Sequence, residues 1–260
     1  MKKEKAVLIQ CLESAARVVR RHFGKVGYEL KSKANLVTKA DVASQRTILK
    51  IIQKNFPQHG FLAEEENAQK PKEYTWVIDP IDGTTNFAHT FPQCSISIAL
   101  FHKSKPVLGG VINPITKELF LAEKGKGATL NGKKIHVSHV NRIENSLLVT
   151  GFPYNRYHRM PELLDRFGKF LLACHDVRRL GSAALDLCWV AAGRIDGYWE
   201  DNLHPWDVGA GFLILQEAGG KITDYDGKPY KKINEYGKTL LASNGKIHKQ
   251  LLCIAKSHKN

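Results

Sequence analysis

Apolar side chains at Leu8, Leu12, Ala15, Val19 and Phe23 recur at helical spacing, with Glu13, Arg17, Arg20 and Arg21 between them. That pattern predicts an amphipathic helix over residues 5–23 with one buried stripe, and its interrupting charges separate it from a signal peptide. Thr38 stands three residues before Asp41 and opens onto Val42, Ile48, Ile51 and Ile52, a capping-box start for a second helix that Pro57 ends. Tyr74 to Ile78 is β-branched and aromatic and predicts a strand that stops at Asp79-Pro80. Further strands are expected at 94–101, 106–112 and 117–122, with Asn131-Gly132 as a hairpin turn. Beyond residue 145 the pattern alternates: strands at 146–150, 175–179, 195–199 and 239–243, helices at 161–173, 182–192 and 206–218. The expectation is one domain over 1–260 built of two closely packed lobes, about 1–143 (helices plus antiparallel sheet) and 144–260 (α/β).

The 260 residues suffice for a large core without staples, and 43% apolar with 25% charged residues is ordinary for a globular chain. The formal net charge of +14 favours anionic partners, such as phosphorylated metabolites or nucleic acid, although Lys and Arg are spread along the chain rather than clustered. The cysteines, at 11, 94, 174, 188 and 253, are odd in number and form no CxxC pair, so neither a disulfide framework nor a thiolate zinc site is expected. Cys94, Cys174 and Cys188 read as buried thiols of a cytoplasmic protein. No run approaches the roughly 18 to 20 apolar residues of a membrane span.

The candidate chemistry lies in acidic positions at predicted strand and helix ends. Asp79 and Asp82 flank a turn that Pro80 and Gly83 would shape, and a divalent cation would relieve their repulsion. Oxygen-only ligands point to Mg²⁺, with Mn²⁺ as the alternative. Glu64, Glu65 and Glu66 follow Phe61-Leu62, and Asp207 follows Pro205-Trp206 at the start of an apolar helix. Each also has an ordinary reading: an acidic turn, a solvated loop, a carboxylate favouring a helix N-terminus. No nucleophile elbow, P-loop lysine or histidine metal spacing is present.

Together, "WVIDPIDGTTNF" at residues 76–87, the upstream Glu pair and the downstream "PWDVGAG" resemble the inositol monophosphatase family, as do "LVTKAD" at 36–41, "GSAALDLCWVAAGRIDGYWE" at 181–200 and "EAGG" at 217–220. The resemblance implies a layered αβαβα sandwich and a lithium-sensitive, Mg²⁺-dependent phosphomonoesterase that acts as a homodimer. By the same resemblance Asp79 would bridge two ions. Glu64 and the Ile81 carbonyl would complete the first site, Asp82 and Asp207 the second, and Glu64 would also hold a third, weaker ion through waters. Glu64 would orient the attacking water, and Thr84 paired with Asp41 would help accept its proton. Gly83 and Thr84 would meet the phosphate. Gly181, Ser182, Ala183, Glu200 and Asp207 would line the substrate, with Lys31, or Lys33, on a loop near the metals. Two departures stand out: Ala63 where Gly is common, and the extra acid Glu66.

The leading expectation is hydrolysis of myo-inositol monophosphate. A sugar bisphosphatase or a histidinol-phosphate phosphatase stays open within the family, whereas a nucleotide 3′-phosphatase is disfavoured by Thr85-Asn86 where that type has Lys-Gly. A binding role toward RNA or the transcription machinery is the alternative of a different class.

Overall fold

The computed structural model describes residues 1–25, 27–32, 35–65 and 72–256, without the side chains of Lys31, Ser32 and Asn35. In chain order the elements are α1 (Lys2–His22), β1 (Tyr28–Ser32), β2 (Asn35–Thr38), α2 (Lys39–Asn55), β3 (Gly60–Ala63), β4 (Tyr74–Asp82), α3 (Thr84–Ala88), β5 (Ser95–His102), β6 (Lys105–Ile112), β7 (Leu119–Glu123), β8 (Ala128–Leu130) and β9 (Lys133–Lys134). They continue with β10 (Leu147–Thr150), α4 (Met160–Ala173), β11 (Asp176–Arg178), α5 (Ala183–Ala191), β12 (Gly197–Asp201), α6 (Pro205–Glu217), β13 (Lys221–Thr223), β14 (Thr239–Ser243) and α7 (His248–Lys256).

Two sheets organise the molecule. The larger runs β3-β4-β5-β6-β7-β8-β9, parallel only between β3 and β4. The smaller runs β11-β10-β12-β14-β13, with β10 parallel to both neighbours and β14 antiparallel to β12 and β13. Strand alternation assigns the faces. Trp76 and Ile78 pack with Leu8, Leu12, Ile48 and Ile52 of α1 and α2, whereas Val77 turns toward Leu187, Val208 and Leu213 of α5 and α6. The same α5–α6 layer meets Val149, Tyr198 and Leu240 of the smaller sheet. That sheet's outer face carries Leu148, Trp199 and Leu241 against Phe170 of α4 and Leu251 of α7. The stacking is therefore α1α2, sheet, α5α6, sheet, α4α7: an αβαβα sandwich. α5 is buried along its whole length, and α6 from Val208 to Leu215, because both of their sides are covered.

Local signals hold where they were strong. The Thr38–Asp41 capping box forms, Pro205 occupies the first turn of α6, and Asn131 and Gly132 take φ of 49° and 79° in the β8–β9 turn. Two expectations are corrected. β4 does not stop at Asp79-Pro80; it runs on to Asp82, and an irregularity in its pairing with β5 between Asp79 and Asp82 accommodates a proline that cannot donate to the ladder. Cys174 is only half-buried, beside buried Cys11, Cys94 and Cys188. Among the described residues no helix is long and apolar enough to cross a membrane.

Candidate active site

The irregular end of β4 decides where the carboxylates go. Between Asp79 and Asp82 the strand leaves regular pairing, so both side chains reach one end of the larger sheet. Asp79 and Asp82 are 1% and 8% exposed. Asp79 Oδ1 accepts from the Ile81 amide at 3.0 Å, closing a local turn. Asp82 Oδ2 accepts from Ser182 Oγ at 2.6 Å and from the Ala184 amide at 2.8 Å, which ties β4 to the start of α5. Asp207 arrives from the first turn of α6, its Oδ2 accepting from the His204 amide at 2.6 Å. Ligand oxygens of Asp79, Asp82 and Asp207 lie within 4.8 Å of one another.

This geometry is electrostatically costly in isolation. Burial first, then the charges of Glu64, Asp82, Asp207 and Asp41, hold Asp79 well above the usual carboxylate range. Burial and then Asp207 push Asp82 up to about 7, against the lowering effect of its Ser182 and Ala184 hydrogen bonds. Among the described residues no Lys or Arg pairs with Asp79 or Asp82. Three convergent, partly desolvated carboxylates, paired with no lysine or arginine among the described residues, form a donor set suited to a hard divalent ion.

The remaining expected residues gather around this cluster. Glu64 follows β3 and lines the same cleft, as do Ile81, Gly83 and Thr84. Gly83 has φ of +87°, and a β-carbon there would meet the carbonyls of Gln93 and Gly181 at 2.9 Å, so only glycine fits. Thr84 Oγ1 lies 3.1 Å from Asp41 Oδ1 and 2.9 Å from the Ile81 carbonyl. Asp41 is buried at the third position of α2, and its Oδ2 accepts from the Thr38 amide at 2.8 Å and from Thr38 Oγ1 at 2.6 Å. Burial raises its proton affinity, opposed by the bonds from Thr38 and Thr84.

Gly181, Ser182 and Ala183 lead into α5. Asn86 fastens this segment by donating to the carbonyls of Leu180 and Gln93, each at 2.7 Å. Gly181 and Ala183 line the cleft; Ser182 turns its hydroxyl inward to Asp82. Glu200, on β12, forms another wall, buried and raised to about 8 mainly by burial. The cleft holds about 290 Å³. The side chain of Lys31, and Lys33 and Glu66 altogether, lie outside the described residues. Ala63 sits in extended β3, where a β-carbon needs no special backbone.

Gly151, Arg179 and Tyr154 are among the lining residues that were not anticipated. Gly151 lies beside Glu200. Arg179 brings a guanidinium among the cleft's acids and makes no ion pair or hydrogen bond with the described residues. Tyr154 leaves its ring exposed while its hydroxyl end is raised in proton affinity by burial and by Glu64, Asp207, Asp82 and Asp79. None of the three belongs to a motif; Gly151 and Tyr154 come from one segment and Arg179 from another.

Comparison with known proteins identifies the family. A model described as the inositol monophosphatase family matches residues 2–260. The chain is 40% identical over 252 residues to an inositol-1-monophosphatase of Caulobacter vibrioides, covering 94% of this chain and 98% of the relative. It is 44% identical over 200 residues to the Nus factor SuhB of Pasteurella multocida, covering 76% and 75%. In three dimensions it matches the extragenic suppressor protein suhB of Bartonella henselae with a TM-score of 0.90 at 37% identity, covering 97% of this chain and 98% of that one. It also matches an IMPase/NADP phosphatase complexed with Mg²⁺ and phosphate, with a TM-score of 0.86 at 27% identity, covering 99% and 97%. Fold and sequence together define a phosphoric monoester hydrolase. The chain belongs to the inositol monophosphatase family.

Proposed function

We propose that the cleft hydrolyses a phosphate monoester of a small polyol, with myo-inositol monophosphate as the substrate, in a Mg²⁺-dependent reaction. The convergence of Asp79, Asp82 and Asp207 within 4.8 Å carries this reading. Asp79, Glu64 and the Ile81 carbonyl would hold one ion; Asp79, Asp82 and Asp207 would hold another, and Mn²⁺ could replace Mg²⁺ in such oxygen-only sites. A bound divalent ion supplies charge neutralisation at the phosphoryl oxygens and lowers the pKa of a coordinated water.

The chain's own groups do the rest. Glu64, half-buried at the end of β3, orients the attacking water. The Thr84 hydroxyl, held against Asp41, provides a path for the proton that this water loses. The backbone turn at Gly83 and Thr84 presents N–H groups to the phosphate, because no side chain intervenes at Gly83. Glu200 accepts hydrogen bonds from the hydroxyls of the leaving group.

Asp82→Asn tests the site directly. Asparagine keeps an oxygen for the Ser182 and Ala184 donors but loses the charge. Phosphate release in Mg²⁺ should fall by more than about 100-fold on every member of a panel of inositol 1-phosphate, fructose 1,6-bisphosphate, histidinol phosphate and 3′-phosphoadenosine 5′-phosphate. Undiminished release by the variant would sink the metal-site reading. Preference for a different panel member would keep the chemistry and replace the substrate. One observation favours the bisphosphate: Arg179, paired with none of the described residues, could receive a second anionic group. A transcription role draws on relatives named Nus factor and on the charge of +14. Salt-dependent RNA binding retained by Asp82→Asn would establish it as separate from hydrolysis.

A further inference from the structure

We infer that Gly151 and Tyr198 are positioning residues for Glu200 and so fix which leaving groups the cleft accepts. The inference rests on Glu200 receiving the substrate's hydroxyls. β10 ends at Thr150, which pairs in parallel register with Trp199, and Thr150 Oγ1 donates to the Trp199 carbonyl at 2.7 Å. The next residue along, Gly151, therefore comes beside Glu200. A β-carbon built on Gly151 would stand 2.0 Å from Glu200 Oε2 and 2.2 Å from both Cδ and Oε1. These separations are far inside van der Waals contact, which for carbon pairs is optimal at roughly 3.5–4.0 Å. The carboxylate fills the volume that any other residue would give to its β-carbon.

Tyr198 closes the other side. It shares a face of β12 with Glu200, is fully buried, and donates its hydroxyl to Glu200 Oε2 at 2.5 Å. A buried ring locked between two layers cannot follow Glu200 into another rotamer. Oε2 is thus engaged, while Oε1 has no hydrogen-bond partner among the described residues and remains for a ligand hydroxyl. The carboxylate is held in one orientation by a missing side chain and a single phenol.

The test compares two esters, the best-cleaved polyol monophosphate of the panel and 4-nitrophenyl phosphate, which has no hydroxyl for Glu200. Gly151→Ala should raise KM for the polyol ester about 3- to 10-fold, the range for losing an ordinary hydrogen bond, while kcat/KM for 4-nitrophenyl phosphate falls far less. Tyr198→Phe, which adds no atom and removes one donor, should act in the same direction with a smaller effect. Equal losses on both esters in both variants would show a merely structural role and overturn the inference. Glu200→Ala separates the layers of the argument. If it leaves polyol KM unchanged, the reading of Glu200 itself fails. If it raises KM and Gly151→Ala does not, only the positioning role fails. A wild-type enzyme that cleaves 4-nitrophenyl phosphate but no polyol ester overturns both.

Discussion

Two constraints fall together on Gly83. Its φ of +87° is a conformation other residues adopt at a cost, and the atoms facing its missing β-carbon are the carbonyls of Gln93 and Gly181, which are backbone and cannot swing aside. Gly83→Ala should therefore destabilise the protein by about 2 kcal/mol or more, read as a lower urea midpoint. It should also lower phosphate release from every substrate, because residues 83 and 84 both turn out of position. A variant of normal stability and activity would show that this turn is not part of the machinery. Asp41 illustrates a different economy: one oxygen caps α2 through Thr38, and the other meets Thr84. A single buried carboxylate thereby joins a helix start to the turn at Gly83 and Thr84.

At the level of elements, α4 is bound to the β12 wall of the cleft through charge. Arg166, on α4, donates to both oxygens of Asp201 at 3.0 and 3.1 Å, and Arg159 reaches the same carboxylate at 2.5 Å. Arg166 and Asp201 are 4% and 2% exposed, and Asp201 directly follows Glu200. Removing the charge from Asp201 leaves buried Arg166 with the more exposed Glu162, at 2.9 Å, as its remaining carboxylate, so Asp201→Asn should cost about 3 kcal/mol in a denaturant titration. A loss below about 1 kcal/mol would place the pair among exposed bridges of little consequence. The elements themselves were unequally legible in the chain. Capped or strongly periodic ones, such as α1 and α2, show in the pattern of residues because local chemistry decides them. The β1–β2 hairpin, β13 and α7 were not foreseen; each is short, and its partners are chosen by the tertiary fold. The carboxylate positions were visible because motif spacing displays them. Gly151, Tyr154 and Arg179 were not, since only folding brings residues 151, 179 and 200 to one wall.

For the molecule as a whole, the buried acids make stability depend on pH and on metal. Asp82 is raised to about 7 and Glu200 to about 8, against unfolded values near 4. A carboxylate whose folded pKa is raised contributes stability below its unfolded pKa, and that contribution is lost as pH rises through the folded value. His248 runs the other way. Its pKa is lowered to about 4 by burial, so its contribution is lost only as pH falls below the ordinary histidine range. Between roughly pH 6.5 and 8 the carboxylates dominate. The melting temperature of EDTA-treated protein should fall across that window, and added Mg²⁺ should restore more of it at pH 8 than at pH 6.5. A flat profile, or a metal effect that does not grow with pH, would contradict the electrostatic account of the cluster.

The cleft draws on three separate layers: Asp79 and Asp82 from the larger sheet, Asp207 from the helices between, and Glu200 from the smaller sheet. Whatever fills it spans the sandwich like a rivet, and by linkage must oppose any slippage of one sheet past the other. Occupancy would then be legible far from the cleft. Amide exchange should slow together in β4 and β12, although these strands belong to different sheets and share no ladder.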